Sequence, residues 1–355
     1  MRVIRGYLFR SIIGTILLVL SVLMGLAAFI EFVTQLDDIG VGTYGVVQAF
    51  IYTLLKMPNY ASQMLPMAVL LGALLGLGGL ANHGELIILR AAGVSLNRLA
   101  VSVLWTGLVL SLFAFLLGSF VGPPLDNYAR QFRAQAKHAG EGVSTGRSAW
   151  IRDGNSFLNV SRLTDDYRLG GVYIYRLNDD FTLASIGHAD SAGVDDANQW
   201  VLSNLSESIF NAAGVKTSSS RRTTQQNNLS SDLVALTVVR PDSLASTELV
   251  RYISYLRSND LDAQRYEVAL WSRIAAAAAV APMCVLALPF VFGRMRSSGA
   301  GARMVIGLLV GLAYFLTSRG LADGGQVYDL DPLFIAWLPT IALTVATMIA
   351  LIRTR

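Results

Sequence analysis

Long runs without a charged residue decide what this chain can become. Twenty residues separate Arg10 from Glu31, twenty-seven separate Arg98 from Asp126, twenty separate Arg273 from Arg294, and twenty-one separate Asp331 from Arg353. A helix of about 20 apolar residues crosses the roughly 30 Å hydrocarbon core of a bilayer, where a helix satisfies its own backbone. Two further runs, Met64 to Ala81 and Met304 to Leu321, bring the expected spans to six, the latter carrying Arg319 near one end. A mean hydropathy of +0.50 with only 15% charged residues fits that load and is too apolar for an ordinary soluble protein. The N-terminal run is too long for a signal-peptide core and lacks a small-residue cleavage site, so it reads as a retained anchor.

Charge in the short loops sets the expected orientation. With both ends cytoplasmic, the inside segments hold Arg2, Arg5, Arg10, Arg90, Arg98, Arg294, Arg296, Arg303, Arg353 and Arg355. The outside loops then hold only Lys56 and Arg319, among Glu31, Asp37, Asp38, Asp323, Asp329 and Asp331. The positive-inside rule favours this arrangement, and the sequence pI of about 9.2 becomes a topological signal with no bearing on nucleic acid. Cys284 is the only cysteine, which excludes an intrachain disulfide.

Between Pro123 and Glu267 the long apolar runs give way to Asn, Asp, Ser, Gly and alternating patterns. Phe157 to Leu163, Val172 to Leu177 and Trp200 to Leu205 read as strands, parted by turn clusters at Asn178 to Asp180 and Asp195 to Asn198. The polar stretch Thr217 to Gln226 reads as a loop, and Ser246 to Ser258 as a helix with Leu249, Tyr252, Ile253 and Leu256 on one face. The chain thus divides into a first membrane half (1–122), an all-β, jelly-roll-like domain outside the membrane that ends in a helix (123–266), and a second membrane half (267–355). Pro58 is expected to end an approach helix that starts at Val46, and Pro282 and Pro289 to bend the fourth span. Gly72, Gly76 and Gly79, then Gly107, Ser111, Ala114 and Gly118, then Gly307 and Gly311, recur at helical spacing. Such stripes either let helices approach closely in lipid or reflect the tolerance of membrane helices for glycine.

One short segment between the second and third spans stands apart. Glu85 to Ala92 is good helix-forming sequence, with Glu85 at the positive N-terminal end, Arg90 near the other, and Gly84 and Gly93 free to turn the chain on either side. Leu86, Ile87, Ile88 and Leu89 fill one turn, so no face is fully polar. The helix must pack on its own bundle, on the membrane interface or on a partner.

Catalytic chemistry is not written in the chain. It has no phosphate-binding loop ending in Gly-Lys-Ser or Gly-Lys-Thr, no nucleophile elbow, and no metal-ligand spacing among His83, His138 and His188. Nucleotide hydrolysis by this chain alone is therefore not expected, and neither is a cofactor or a metal. A membrane-anchored periplasmic scaffold or adhesion module accounts only for the β insert.

Specific words carry a resemblance: Tyr52-Thr-Leu-Leu55, Pro66 to Gly78, Glu85-Leu-Ile-Ile-Leu-Arg-Ala-Ala-Gly93, Tyr128 to Ala136, Leu270-Trp-Ser-Arg273 and Phe290-Val-Phe-Gly293. With three spans, a β insert and three more spans, the chain resembles the lipopolysaccharide export permeases, the LptF/LptG family, and the Gly-Ala-Leu-Leu-Gly-Leu-Gly run is closer to the G branch. The resemblance implies an inner-membrane transporter half with a periplasmic β domain. It pairs with a homologous six-span LptF-like subunit above a cytoplasmic LptB-like ATPase dimer, beside a bitopic LptC-like partner. The segment around 84–93 then becomes the ATPase-coupling helix, with Glu85, Leu86, Leu89, Arg90 and Gly93 as its coupling residues and Glu85 as the foremost polar contact. Lipopolysaccharide phosphates fall to Arg130, Arg133 and Arg319, and the gate to Phe29, Glu31 and Phe32. Acidic Glu31, Asp37 and Asp38 stand where lysines are common in G subunits, and Arg319 is a candidate partner for Glu31. Snorkelling to the interface is the plainer role for the same arginines.

Overall fold

The computed structural model describes residues 2–137, 149–163, 169–178, 180, 182–194, 199–211, 214–226, 240–292, 300–328 and 330–354. His138, Arg294, Arg296, Asp329 and the turn expected at 195–198 lie outside them. The chain forms two compact units, one comprising residues 1–137, 241–249 and 264–355, the other residues 138–240 and 250–263.

In the first unit the order is α1 (Arg2–Gln35), α2 (Val46–Asn82), α3 (Glu85–Ala91), α4 (Leu96–Leu116) and α5 (Gly122–Lys137), then α7 (Gln264–Phe292), α8 (Ala300–Val327) and α9 (Pro332–Arg353). Among the described residues six helices are long and apolar enough to cross a membrane: α1, α2, α4 continued into α5, α7, α8 and α9. The bundle's core gathers Leu70, Leu74 and Leu77 of α2 with Val280, Cys284 and Leu288 of α7. Faces of α1, α8 and α9 bearing Leu18, Val22, Leu309, Leu316, Ile341 and Val345 stay exposed, as helices solvated by lipid tails require.

The small-residue stripes are contact seams. A Cβ on Gly72 would lie 2.5 Å from Ile16 Cα, so α1 approaches α2 more closely than any larger residue permits. Thr15 of α1 donates to the Gly72 carbonyl at 2.7 Å, and Ser111 of α4 donates to the Ala277 carbonyl of α7 at 2.5 Å. Gly79 is the exception, with open space where its Cβ would be.

Contrary to expectation, Pro58 does not end its helix. Pro58 and Pro66 both lie inside a continuous α2, because neighbouring helices stabilise a membrane helix that a proline would break in water. Pro123 and Pro124 do not close the third span either. A five-residue π-helical stretch, Leu117–Val121, precedes them and resets the hydrogen-bond register, so the helix runs on to Lys137 within the membrane unit. The expected break at 122/123 accordingly moves to the end of α5.

The second unit holds a six-stranded antiparallel sheet among its described residues: β1 (Ala149–Asp153), β2 (Ser156–Leu163), β3 (Leu169–Leu177), β4 (Leu183–Val194), β5 (Gln199–Asn211) and β6 (Gly214–Gln226). The strands follow one another in order β1-β2-β3-β4-β5-β6. Among the described residues, Leu158, Val172, Ile174, Ala189, Leu202 and Leu205 are its buried hydrophobic side chains. The stretch expected as a loop, Thr217 to Gln226, is most of β6, paired with β5 from Gln199↔Gln226 to Asn211↔Gly214. Its side chains from Gly214 to Arg222 are exposed, which suits a polar edge strand and hides the alternation that marks a half-buried one. Helix α6 (Ser246–Ser258) has the expected bounds, with Leu249, Tyr252, Ile253 and Leu256 buried.

Candidate functional site

At one end of the bundle, α3 forms a ridge between two left-handed glycines, Gly84 (φ 77°) and Gly93 (φ 86°), whose conformations disfavour any side chain. Leu86 is 1% exposed and Leu89 packs on the same core, so these two hold α3 on its own bundle. Ile88 is 67% exposed and Arg90 is exposed, its guanidinium 5.6 Å from the ring centroid of Phe292. The carboxylate of Glu85 accepts a 2.5 Å hydrogen bond from the Tyr7 hydroxyl of α1. Of the five residues expected to meet a partner, Leu86 faces inward, whereas Ile88, outside that set, is exposed.

Glu31 lies about 36 Å further along α1 than Tyr7, at 1.5 Å per residue, and marks a polar cluster toward the other end. Its carboxylate is 8% exposed and engages Lys56 at 2.8 Å, Tyr60 at 2.5 Å and Gln35 at 3.1 Å. Seven residues on, Asp38 takes both Arg133 and Lys137 of α5, the latter at 2.6 Å. Asp126, also on α5 and 1% exposed, accepts from Arg130 and, at 2.7 Å, from Ser243. Arg133 also stacks 5.4 Å from the Tyr52 ring. Between these groups, Tyr44 is buried and donates to Gln35 at 3.3 Å. Burial pushes its phenol up to about 12, so it stays protonated and able to donate at any physiological pH.

The structure therefore brings Arg130 and Arg133 together on α5 and ties each to a carboxylate of its own chain. Arg319 is elsewhere on the surface of α8, exposed and 3.8 Å from Asp323. The pairing of Arg319 with Glu31 does not occur, because Lys56 and Tyr60 already enclose the Glu31 carboxylate. The gate trio is split as well: Phe29 is 66% exposed and Phe32 partly so, while Glu31 turns inward, since positions two apart on a helix face nearly opposite ways. Lys56, Tyr60 and Asp126 were missed. The spacing Asp126, Arg130, Arg133, Lys137 is a helical charge stripe that could have revealed the last of these, whereas nothing in sequence marks Tyr7 or Lys56 as partners of distant acids.

Comparison with known proteins adds relatives to this geometry. The family described as lipopolysaccharide export system permease LptF/LptG matches residues 6–353. The lipopolysaccharide export system permease protein LptG of Haemophilus influenzae is 35% identical over 350 residues, covering 98% of both chains. The protein of the same name from Escherichia coli K12 is 35% identical over 353 residues, 99% of this chain and 98% of its own.

Proposed function

We infer the role of this chain from the family to which it belongs, the lipopolysaccharide export permeases LptF/LptG: it is the G-type transmembrane subunit of an ATP-driven exporter in the bacterial inner membrane. In this role it extracts lipopolysaccharide from the inner membrane and passes it to a periplasmic bridge. The observation that carries the reading is identity to two LptG proteins over nearly the whole of each chain, which spans both helical halves and the β insert alike.

The partners belong to the same proposal: a homologous LptF-like permease, a cytoplasmic LptB-like ATPase dimer that supplies the hydrolysis this chain has no motif for, and a bitopic LptC-like protein at the periplasmic β domain. Helix α3 is the docking element. Ile88 and Arg90 form the face offered to the ATPase, bounded by Glu85 and Gly93, while Leu86 and Leu89 anchor the helix so that a push on its outer face reaches the bundle. Arg130 and Arg133, each partly open to solvent, bind lipid phosphate by exchanging a carboxylate for it, since both anions accept the same guanidinium fork. Arg319, paired only with an exposed acid, is free to do so without disturbing the cluster.

Purification of this chain from its native membranes in mild detergent tests the reading. A Walker-motif ATPase and a second six-span chain are expected to accompany it, and recovery of neither overturns the assignment. Ile88→Asp, which places a charge on the exposed face of α3, is expected to lower ATPase recovery at least tenfold, equivalent to about 1.4 kcal/mol of binding. Glu85→Ala acts in the same direction more weakly, through loss of the Tyr7 contact.

A further inference from the structure

The seam between α2 and α8 ends on a buried cation. Down α8, Arg303, Gly307 and Gly311 are its buried positions at four-residue spacing, while Met304, Val305, Leu308, Leu309 and Leu312 are exposed. Opposite them on α2, a Cβ on Gly307 would lie 2.4 Å from Leu74 Cδ1, and one on Gly311 2.7 Å from Met67 Cγ. At the head of the seam the Arg303 guanidinium lies over Gly78, whose Cβ would fall 3.3 Å from Nη1. A larger residue at 78 would crowd the guanidinium.

Arg303 is 3% exposed, and among the described residues its one hydrogen bond runs from Nη2 to Asn82 Oδ1 at 3.0 Å. Its Nε is buried without an acceptor, and among the described residues no carboxylate pairs with it. A buried charge so weakly neutralised is costly. The negative C-terminal end of α2 favours the cation, but the positive N-terminal end of α8, which carries it, opposes it. An arginine with no ion-pair return is poor economy for packing alone, which a methionine or leucine would serve at this position.

Asn82 is the last residue of α2, three residues before Glu85 opens α3. Glu85 in turn holds Tyr7 of α1. The four residues Asn82 to Glu85 therefore fasten two outer helices, α8 through Arg303 and α1 through Tyr7, at the point where α2 turns into the docking ridge. The two fastenings differ: the Tyr7 contact is exposed, while the Arg303 contact is part-buried, from a buried guanidinium to an exposed Asn82, and continues into a close-packed glycine seam.

We propose that Arg303 is a positioning residue that makes α8 and the α2–α3 junction one rigid lever, so that displacement of α3 by a cytoplasmic ATPase moves α8. The inference rests on the permease role given above and assigns within it the path by which hydrolysis reaches an outer helix. Because Arg303 is buried against α2 and bonded to Asn82, its role is to position helices, and its loss uncouples the two activities while leaving each intact in itself.

The test is made on the purified complex in proteoliposomes, with ATP turnover and lipopolysaccharide release read separately. Arg303→Ala is expected to keep ATP turnover within about twofold of the parent and to lower release about tenfold, within the 5–150-fold range of typical coupling between sites. Arg303→Lys, which preserves the charge, is expected to recover part of the release. In a Cys284→Ala background, Asn82→Cys with Arg303→Cys is expected to behave like Arg303→Ala until a short bis-thiosulfonate reagent bridges the two thiols, and then to regain release. Rescue by a bridge is not expected of a residue needed merely for folding. Release by Arg303→Ala equal to the parent, or a bridged double variant that stays uncoupled, overturns the inference. If the parent complex itself hydrolyses ATP and releases nothing, the permease reading fails instead.

Discussion

The two ends of the helical bundle are held by different chemistry. Beside Glu31 and Asp38, four cations meet three carboxylates in a network that joins α1, α2, α5 and the turn at Ser243. At α3 the joints are single hydrogen bonds, Tyr7 to Glu85 and Arg303 to Asn82, with no ion pair among the described residues. Half-buried ion pairs have directional partners and leave an unpaired charge if separated, whereas a lone hydrogen bond contributes only about 1 kcal/mol and is readily exchanged. The contrast teaches that the end beside Glu31 is held by charge, whereas the α3 end is held by the close-packed glycine seam below Arg303 and, at Tyr7, by a contact that is readily exchanged.

The largest expected effect comes from breaking the network at the acid whose cation is the best shielded, Lys56. Glu31→Ala leaves Lys56, 13% exposed in its side chain, without its carboxylate, and is expected to cost about 3 kcal/mol. A fall in the thermal unfolding midpoint of the detergent-purified protein checks this. Replacing both partners, Glu31→Leu with Lys56→Leu, is expected to recover most of the loss, because no uncompensated charge is then buried. A double variant as unstable as the single one would mean that shape, not charge, holds this site.

Asp38→Asn should do less. It removes the carboxylate shared by Arg133 and Lys137, whose side chains are 33% and 26% exposed, so solvent takes up part of the lost interaction and about 1 kcal/mol is expected. The same unfolding assay at high and low salt sharpens the comparison, since the parent's advantage over Asp38→Asn should shrink as salt rises. Glu31→Ala should keep most of its deficit, its pair being better shielded.

Tyr7→Phe is expected to leave the unfolding midpoint of the whole protein unchanged. Its effect should be local, as faster amide exchange in α3 and none in α5. Equal acceleration at both ends would erase the proposed difference between them.

How much of this was legible in sequence follows from the range of each signal. Spans are local, and the charge-free runs located all six helices that the structure makes long and apolar enough. The glycine stripes identified real seams at Gly72 and Gly307, because close approach leaves a repeat along one helix face. Helix α6 and the strands around Leu158, Val172 and Leu202 were visible for the same reason. A proline misled where an environment overrides a local rule, as at Pro58 within α2. Strand β6 was missed because its side chains carry no burial pattern. The partners of the site residues are not a local signal. Glu31 was read as a gate residue and Arg130, Arg133 and Arg319 as ligands of lipid phosphate, and the first three are paired with Lys56, Asp126 and Asp38, of which Lys56 and Asp38 are brought near only by the fold. Arg303 was counted as one more positive residue of an inside loop, and nothing in the sequence distinguishes it from a snorkelling arginine.

The most direct measurement of the central assignment is transfer of lipopolysaccharide from proteoliposomes to a soluble acceptor, with and without ATP, for complexes assembled with and without this chain. The permease assignment predicts ATP-dependent transfer that requires the chain and that Ile88→Asp abolishes along with ATPase recovery. Transfer that proceeds equally in its absence would contradict the assignment.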